Sequence, residues 1–128
     1  MSGVDQGTIQ KWTNLVMLLD SLTESKKLKW DGGSKSSSYL TTVGAEVIEI
    51  TLVAGSGSDR ADIVIEINDD FGDTIDRFSD EDLMSFGDLQ PYAFMLNLFR
   101  KIERQVSGAD KILDTILSQL KAKEDDPF

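Results

Sequence analysis

Cysteine and histidine are both absent from this 128-residue chain. Without cysteine there is no disulfide framework and no thiol chemistry, and the redox compartment is left open. Without histidine as well, Ser-His and Cys-His nucleophile systems, thiolate or imidazole zinc sites and histidine general bases are excluded. Catalysis would have to rest on carboxylates, lysine, tyrosine or a carboxylate-bound hard cation. Long apolar runs are missing too. None approaches the ~18 residues of a membrane span, and the amino terminus lacks the basic-then-apolar pattern of a secretory leader. The expectation is a cytoplasmic protein with no membrane partner and no cofactor.

What the chain has in excess is acid. Its formal net charge is −10, and nearly all of it lies between Asp59 and Asp88. There Asp59, Asp62, Glu66, Asp69, Asp70, Asp73, Asp76, Asp80, Glu81, Asp82 and Asp88 face only Arg60 and Arg77. Such a surface repels phosphate backbones, which argues against direct nucleic-acid binding. It attracts basic proteins and speeds their encounter, although acids on sheet edges and loops also serve simply to keep a protein soluble. Asp62, Glu66, Asp69, Asp70, Asp73 and Asp76 are therefore the candidate partner-binding residues of the folded part.

The segment from Ala45 to Phe78 organises the fold. Ile48, Ile50 and Leu52 alternate with Glu49 and Thr51; Ile63, Ile65 and Ile67 alternate with Val64, Glu66 and Asn68. A period of two marks strands with one buried face. The Gly/Ser-rich stretch 54–60 reads as a hairpin loop, and 68–73 as a second turn leading to a strand at 74–78. With no room for crossover helices, the sheet is an antiparallel meander. Leu28 and Trp30, alternating with lysines, suggest a further short strand, Tyr39–Val43 another, and 31–38 is the most flexible-looking stretch between them.

Helical spacing brackets the sheet. Ile9, Trp12, Leu15, Val16, Leu19 and Leu22 form an amphipathic stripe with Thr8 as a candidate cap. Ser79 with Asp82 resembles a capping box before a short turn stopped at Gly87. Pro91 suits a first helical position, and Tyr92, Met95, Leu96, Phe99, Ile102 and Val106 follow at helical spacing. Gly108 breaks that helix, Ser107 with Asp110 offers a new cap, and Ile112, Leu113, Ile116, Leu117 and Leu120 mark a final stripe expected to pack with its neighbour on the sheet. One α+β domain over 8–122 is expected, after a lead-in at 1–7 and before an acidic tail at 123–128: a four- to five-stranded antiparallel meander with the N-terminal helix and the C-terminal helical pair on one face.

Two motifs look chemical. Gly55-Ser56-Gly57 follows a strand like a dinucleotide fingerprint, but Arg60 stands where a third small residue is needed and a strand follows instead of a helix. Asp69, Asp70, Asp73 and Asp76 hint at a hard cation, yet Phe71 occupies the position before the glycine where a calcium loop needs an oxygen ligand. A carboxylate-metal hydrolase would have to centre there. The trio Arg100, Lys101 and Arg104 reads as a solvated or internally paired helix face. The ending Glu124-Asp125-Asp126-Pro127-Phe128 resembles the acidic Pro-Phe tip of bacterial single-stranded-DNA-binding proteins, in which the terminal phenylalanine docks into a partner. Asp126 replaces the apolar residue usual before the proline, and no basic, aromatic-lined OB barrel accompanies it. Pro127 and Phe128 are accordingly candidate docking residues.

Over most of its length the chain also resembles small acidic bacterial proteins with no assigned activity. The resemblance is carried by Leu19-Asp20-Ser21-Leu22-Thr23 leading into Lys27-Leu28-Lys29-Trp30, by Glu66-Ile67-Asn68-Asp69-Asp70-Phe71-Gly72, and by Arg104-Gln105-Val106-Ser107-Gly108-Ala109-Asp110-Lys111-Ile112-Leu113. Ser25-Lys26 stands where that family usually has a glycine turn. The resemblance implies the same fold and brings no catalytic residues. The expected function is non-enzymatic protein binding, as an inhibitor, immunity or accessory protein of a bacterial toxin or defence system, with a partner that favours basic character and with self-association as an open alternative.

Overall fold

The computed structural model describes residues 5–55, 61–85 and 87–126. Helix α1 spans Gln6–Glu24 and is capped by Asp5, not Thr8: the Asp5 carboxylate accepts the Thr8 N–H at 2.7 Å. Satisfying that otherwise orphaned donor holds the carboxyl below its ordinary pKa. The helix and its cap therefore lie partly within the stretch expected to be a loose lead-in.

Five strands follow, β1 (Asp31–Gly32), β2 (Ser38–Val43), β3 (Glu46–Val53), β4 (Asp62–Asn68) and β5 (Thr74–Ser79), in an antiparallel meander of order β1-β2-β3-β4-β5. In the central register Ile50 lies opposite Ile65 and Ile48 opposite Ile67, so the isoleucines of both strands share one face. Strand β1 is shorter and later than the Leu28–Trp30 alternation suggests. That segment is occupied otherwise: the Trp30 N–H donates to Gln105 Oε1 at 3.0 Å, and Gln105 Nε2 donates to the Leu28 carbonyl at 3.2 Å. A side chain from a distant helix takes the place of a strand neighbour.

After a single 3-10 turn at Asp80–Asp82, closed by the Ser79–Asp82 capping box, come α2 (Pro91–Ser107) and α3 (Ala109–Asp125). One face of the sheet supplies Ile48, Ile50, Ile63, Ile65 and Phe78 to the core. Helix α1 adds Trp12, Val16 and Leu19, and α2 adds Met95, Leu98, Phe99 and Ile102. Trp12 stacks on Phe78 with ring centroids 4.9 Å apart, and Tyr39 meets Phe99 at 5.4 Å. Each fully buried side chain of this size stabilises the fold by about 1.5–3 kcal/mol relative to exposure.

Helix α3 departs from expectation. The class and topology are as read from the sequence, but of the helical pair only α2 has buried residues; α3 has none. Gly108 joins the two in the left-handed region, φ 71° and ψ 21°, a conformation costly for other residues. It turns the chain out of the α2 axis, so the second stripe is not carried onto the sheet. The expected cap from Ser107 and Asp110 is replaced as well. Gly108 is the first boundary residue of α3, and Asp110 instead binds Arg104. The helix continues to Asp125, through the first half of the expected tail.

Candidate functional site

The acidic belt separates into acids used by the fold and acids left open. Glu66, on the sheet face away from the core helices, pairs with Lys35 at 2.7 Å and lies 3.7 Å from Arg77. The Lys35 ammonium is held above its ordinary pKa, chiefly by the hydrogen bond it donates to Glu66. Asp76 lies on the core-helix side of β5, where its Oδ2 accepts the Trp12 indole N–H at 2.9 Å. Asp69 shapes the β4–β5 turn, its Oδ1 accepting the N–H groups of Phe71 at 3.0 Å and Asp73 at 2.9 Å. Buried Asp80, which the sequence reading had not singled out, accepts the Ile63 N–H at 3.0 Å. Asp62 is half-buried at the start of β4, while Asp70 and Asp73 are exposed. Pro127 and Phe128 lie outside the described residues.

The second sheet face is less open than alternation suggests. Ser38, Glu49, Thr51 and Val64 are all buried there, and the segment after β1 is bound over Ser38 and Glu49. Glu49 Oε2 accepts the Ser34 N–H at 2.8 Å and the Ser34 hydroxyl at 2.9 Å, and the Ser38 hydroxyl accepts the Lys35 N–H at 3.0 Å. The Leu52 N–H reaches the Ser37 carbonyl at 3.0 Å. Burial pushes the Glu49 pKa up, but hydrogen bonds from Ser38 and Ser34 and the charge of Lys35 outweigh it, and the net direction is down. The stretch that looked most flexible is a polar lid pinned by a buried carboxylate.

The basic trio is internally engaged. Arg100 binds Glu103 at 3.0 Å, Lys101 binds Asp20 at 3.0 Å, and Arg104 chelates Asp110. The hydrogen bond to Asp20 leads the influences that raise the Lys101 pKa. Beside Lys101 and Arg104 an open groove of about 720 Å³ runs between the end of α1, residues 28–31 and the α2–α3 junction, floored by Leu28, Trp30 and Val106. Its lining carries Lys26, Lys29, Lys101, Arg104 and Lys111 with Glu24, Asp31 and Asp110, and two of these cations are already held, Lys101 by Asp20 and Arg104 by Asp110.

The clearest unfilled surface is on α3. Ile112, Leu113, Ile116, Leu117 and Leu120 are 57, 47, 45, 53 and 56% exposed. Their spacing is that of a packed helix, and nothing in the described residues covers them. Sequence periodicity found this stripe but assigned it to the core, since a core stripe and a docking stripe have the same pattern.

Among the described residues no group of three or more carboxylates is placed to hold a metal ion, and no helix is long and apolar enough to cross a membrane. The metal-hydrolase alternative thus draws no support from the geometry. No family model, no curated protein and no solved structure matches the chain.

Proposed function

We propose that the chain is a non-enzymatic protein-binding module of a bacterial toxin or defence system, an inhibitor, immunity or accessory protein, that receives an amphipathic helix on α3. The observation carrying the reading is the uncovered stripe of α3. The core closes with α1, α2 and the sheet, so five large apolar side chains are held in water by a helix the core does not use. That stripe exposes on the order of 500 Å² of apolar surface, within the range of the largest patches on monomeric proteins, which are often functional. An amphipathic helix laid into such a stripe is a recurrent recognition mode. Asp70 and Asp73, exposed at the β4–β5 turn, add a field that favours basic partners.

The test is affinity capture with the wild-type chain and with an Ile112→Ser/Ile116→Ser variant. Both side chains are exposed, so the variant keeps its far-UV spectrum and unfolding midpoint. A protein captured by the wild type and lost with the variant is the expected result. A captured protein held equally by both would remove α3 as the binding surface.

A further inference from the structure

Taking α3 as a docking surface, we infer that its occupant is α3 of a second copy, running antiparallel. The stripe is self-complementary in that direction. Helical spacing puts Ala109, Leu113, Ile116 and Leu120 along its centre, with Ile112 and Leu117 on its two flanks. An antiparallel pairing sets Leu113 of each copy against Ile116 of the other in two central layers. Leu120 then packs over Ala109, the one small residue of the row, in the two outer layers. On one edge Ile112 borders Ile116 of the other copy and on the other edge Leu117 borders its Leu113, so every large apolar side chain of the stripe gains an apolar neighbour.

Charge decides the direction. Asp110, Asp114 and Lys121 fall on the same flank of the helix, with the acids in its first half and the lysine in its last turns. Antiparallel pairing brings Lys121 of one copy to Asp110 of the other. Parallel pairing faces this flank with the opposite flank of the other copy, where Ile112, Thr115 and Gln119 offer Asp110 and Asp114 no cation.

Area sets the strength. Two stripes of roughly 500 Å² bury about 1,000 Å² together, at the lower limit for a specific interface. A dimer with so small an interface is expected to be reversible, which lets the same helix exchange into another partner.

The experiment is sedimentation equilibrium from low micromolar to several hundred micromolar protein, combined with cysteine cross-linking, which is clean because the chain has no cysteine of its own. The expected results are a mass rising towards twice 14.2 kDa and an Ile116→Asp variant that stays monomeric with an unchanged unfolding midpoint. A mixture of Ala109→Cys and Leu120→Cys chains should form a disulfide dimer, and Leu120→Cys alone should not. A wild-type monomer at every concentration overturns self-pairing. The docking reading would survive that result if Ile112→Ser/Ile116→Ser still lost a captured protein, and would fall with it if capture were unaffected. Efficient cross-linking of Leu120→Cys to itself would also overturn the proposal, because it reports a parallel pair. Co-sedimentation of a monomer with anionic vesicles would assign the stripe to lipid instead.

Discussion

Trp12 and Asp76 stand 64 residues apart and are joined by an indole N–H to carboxylate hydrogen bond of 2.9 Å. The same indole stacks on Phe78, two residues further along β5. One side chain of α1 thus holds the last strand through a polar and an aromatic contact at once. Asp76→Ala leaves the part-buried indole N–H unpaired and is expected to destabilise the fold by about 1–3 kcal/mol. Urea denaturation followed by tryptophan fluorescence measures it. An unchanged midpoint would mean that water replaces the carboxylate without loss.

Glu49 gives the fold a pH-dependent contribution of known sign. Its folded pKa lies below the ordinary 4.5, so the stabilisation it supplies is fully present above that value. It is lost as pH falls through the depressed folded value. Glu49→Gln is expected to cost about 1–2 kcal/mol at neutral pH. Parallel denaturation of both proteins should show the difference constant at neutral pH and gone in strong acid. A gap that persists in strong acid would assign the loss to altered packing.

Gly33 lies where the lid meets the sheet. A Cβ added there would collide with Ser38 Oγ and Glu49 Oε2 and come within 2.9 Å of the Ser38 carbonyl carbon. Gly33→Ala is expected to destabilise by about 1–3 kcal/mol and to raise amide exchange at Ser34 and Leu52. Gly32→Ala, with nothing within 4 Å of its added carbon, is the control, expected to change stability by less than about 0.5 kcal/mol.

Asp70 and Asp73 are the acids best suited to test attraction of a basic partner, since their side chains are exposed and Asp69 rather than they closes the turn. Asp70→Asn/Asp73→Asn should slow association several-fold at low salt, leave dissociation unchanged, and converge with wild type at high salt. Surface-resonance kinetics with a captured partner decides this; equal association rates at low salt would discharge the acidic turn from any role.

The Pro-Phe ending is tested by a chain ending at Asp126. Loss of a captured protein with Pro127 and Phe128 would establish those residues as a docking tip. Its retention, together with loss on Ile112→Ser/Ile116→Ser, would place binding on α3.

The antiparallel meander, α1, the Ser79 turn, the start of α2 at Pro91 and the break at Gly108 were all legible in the sequence. Each is set by local physics: alternation fixes strand faces, three- and four-residue spacing fixes helix faces, and glycine or proline fixes boundaries. What local pattern could not supply was the partner of each polar or apolar group. The chain around Leu28 and Trp30 has strand alternation, yet Gln105 takes up its backbone groups. Residues 33–37 have loop composition, yet the carboxylate of Glu49 binds them over a sheet face that alternation left wet. Asp76 belongs to an acidic run, yet its hydrogen bond goes to α1. Most consequentially, the stripes of α2 and α3 have the same period and lie on either side of one glycine. Periodicity states only that a helix has an apolar face. The direction in which Gly108 turns the chain decided that α2 meets the sheet and that the face of α3 remains uncovered.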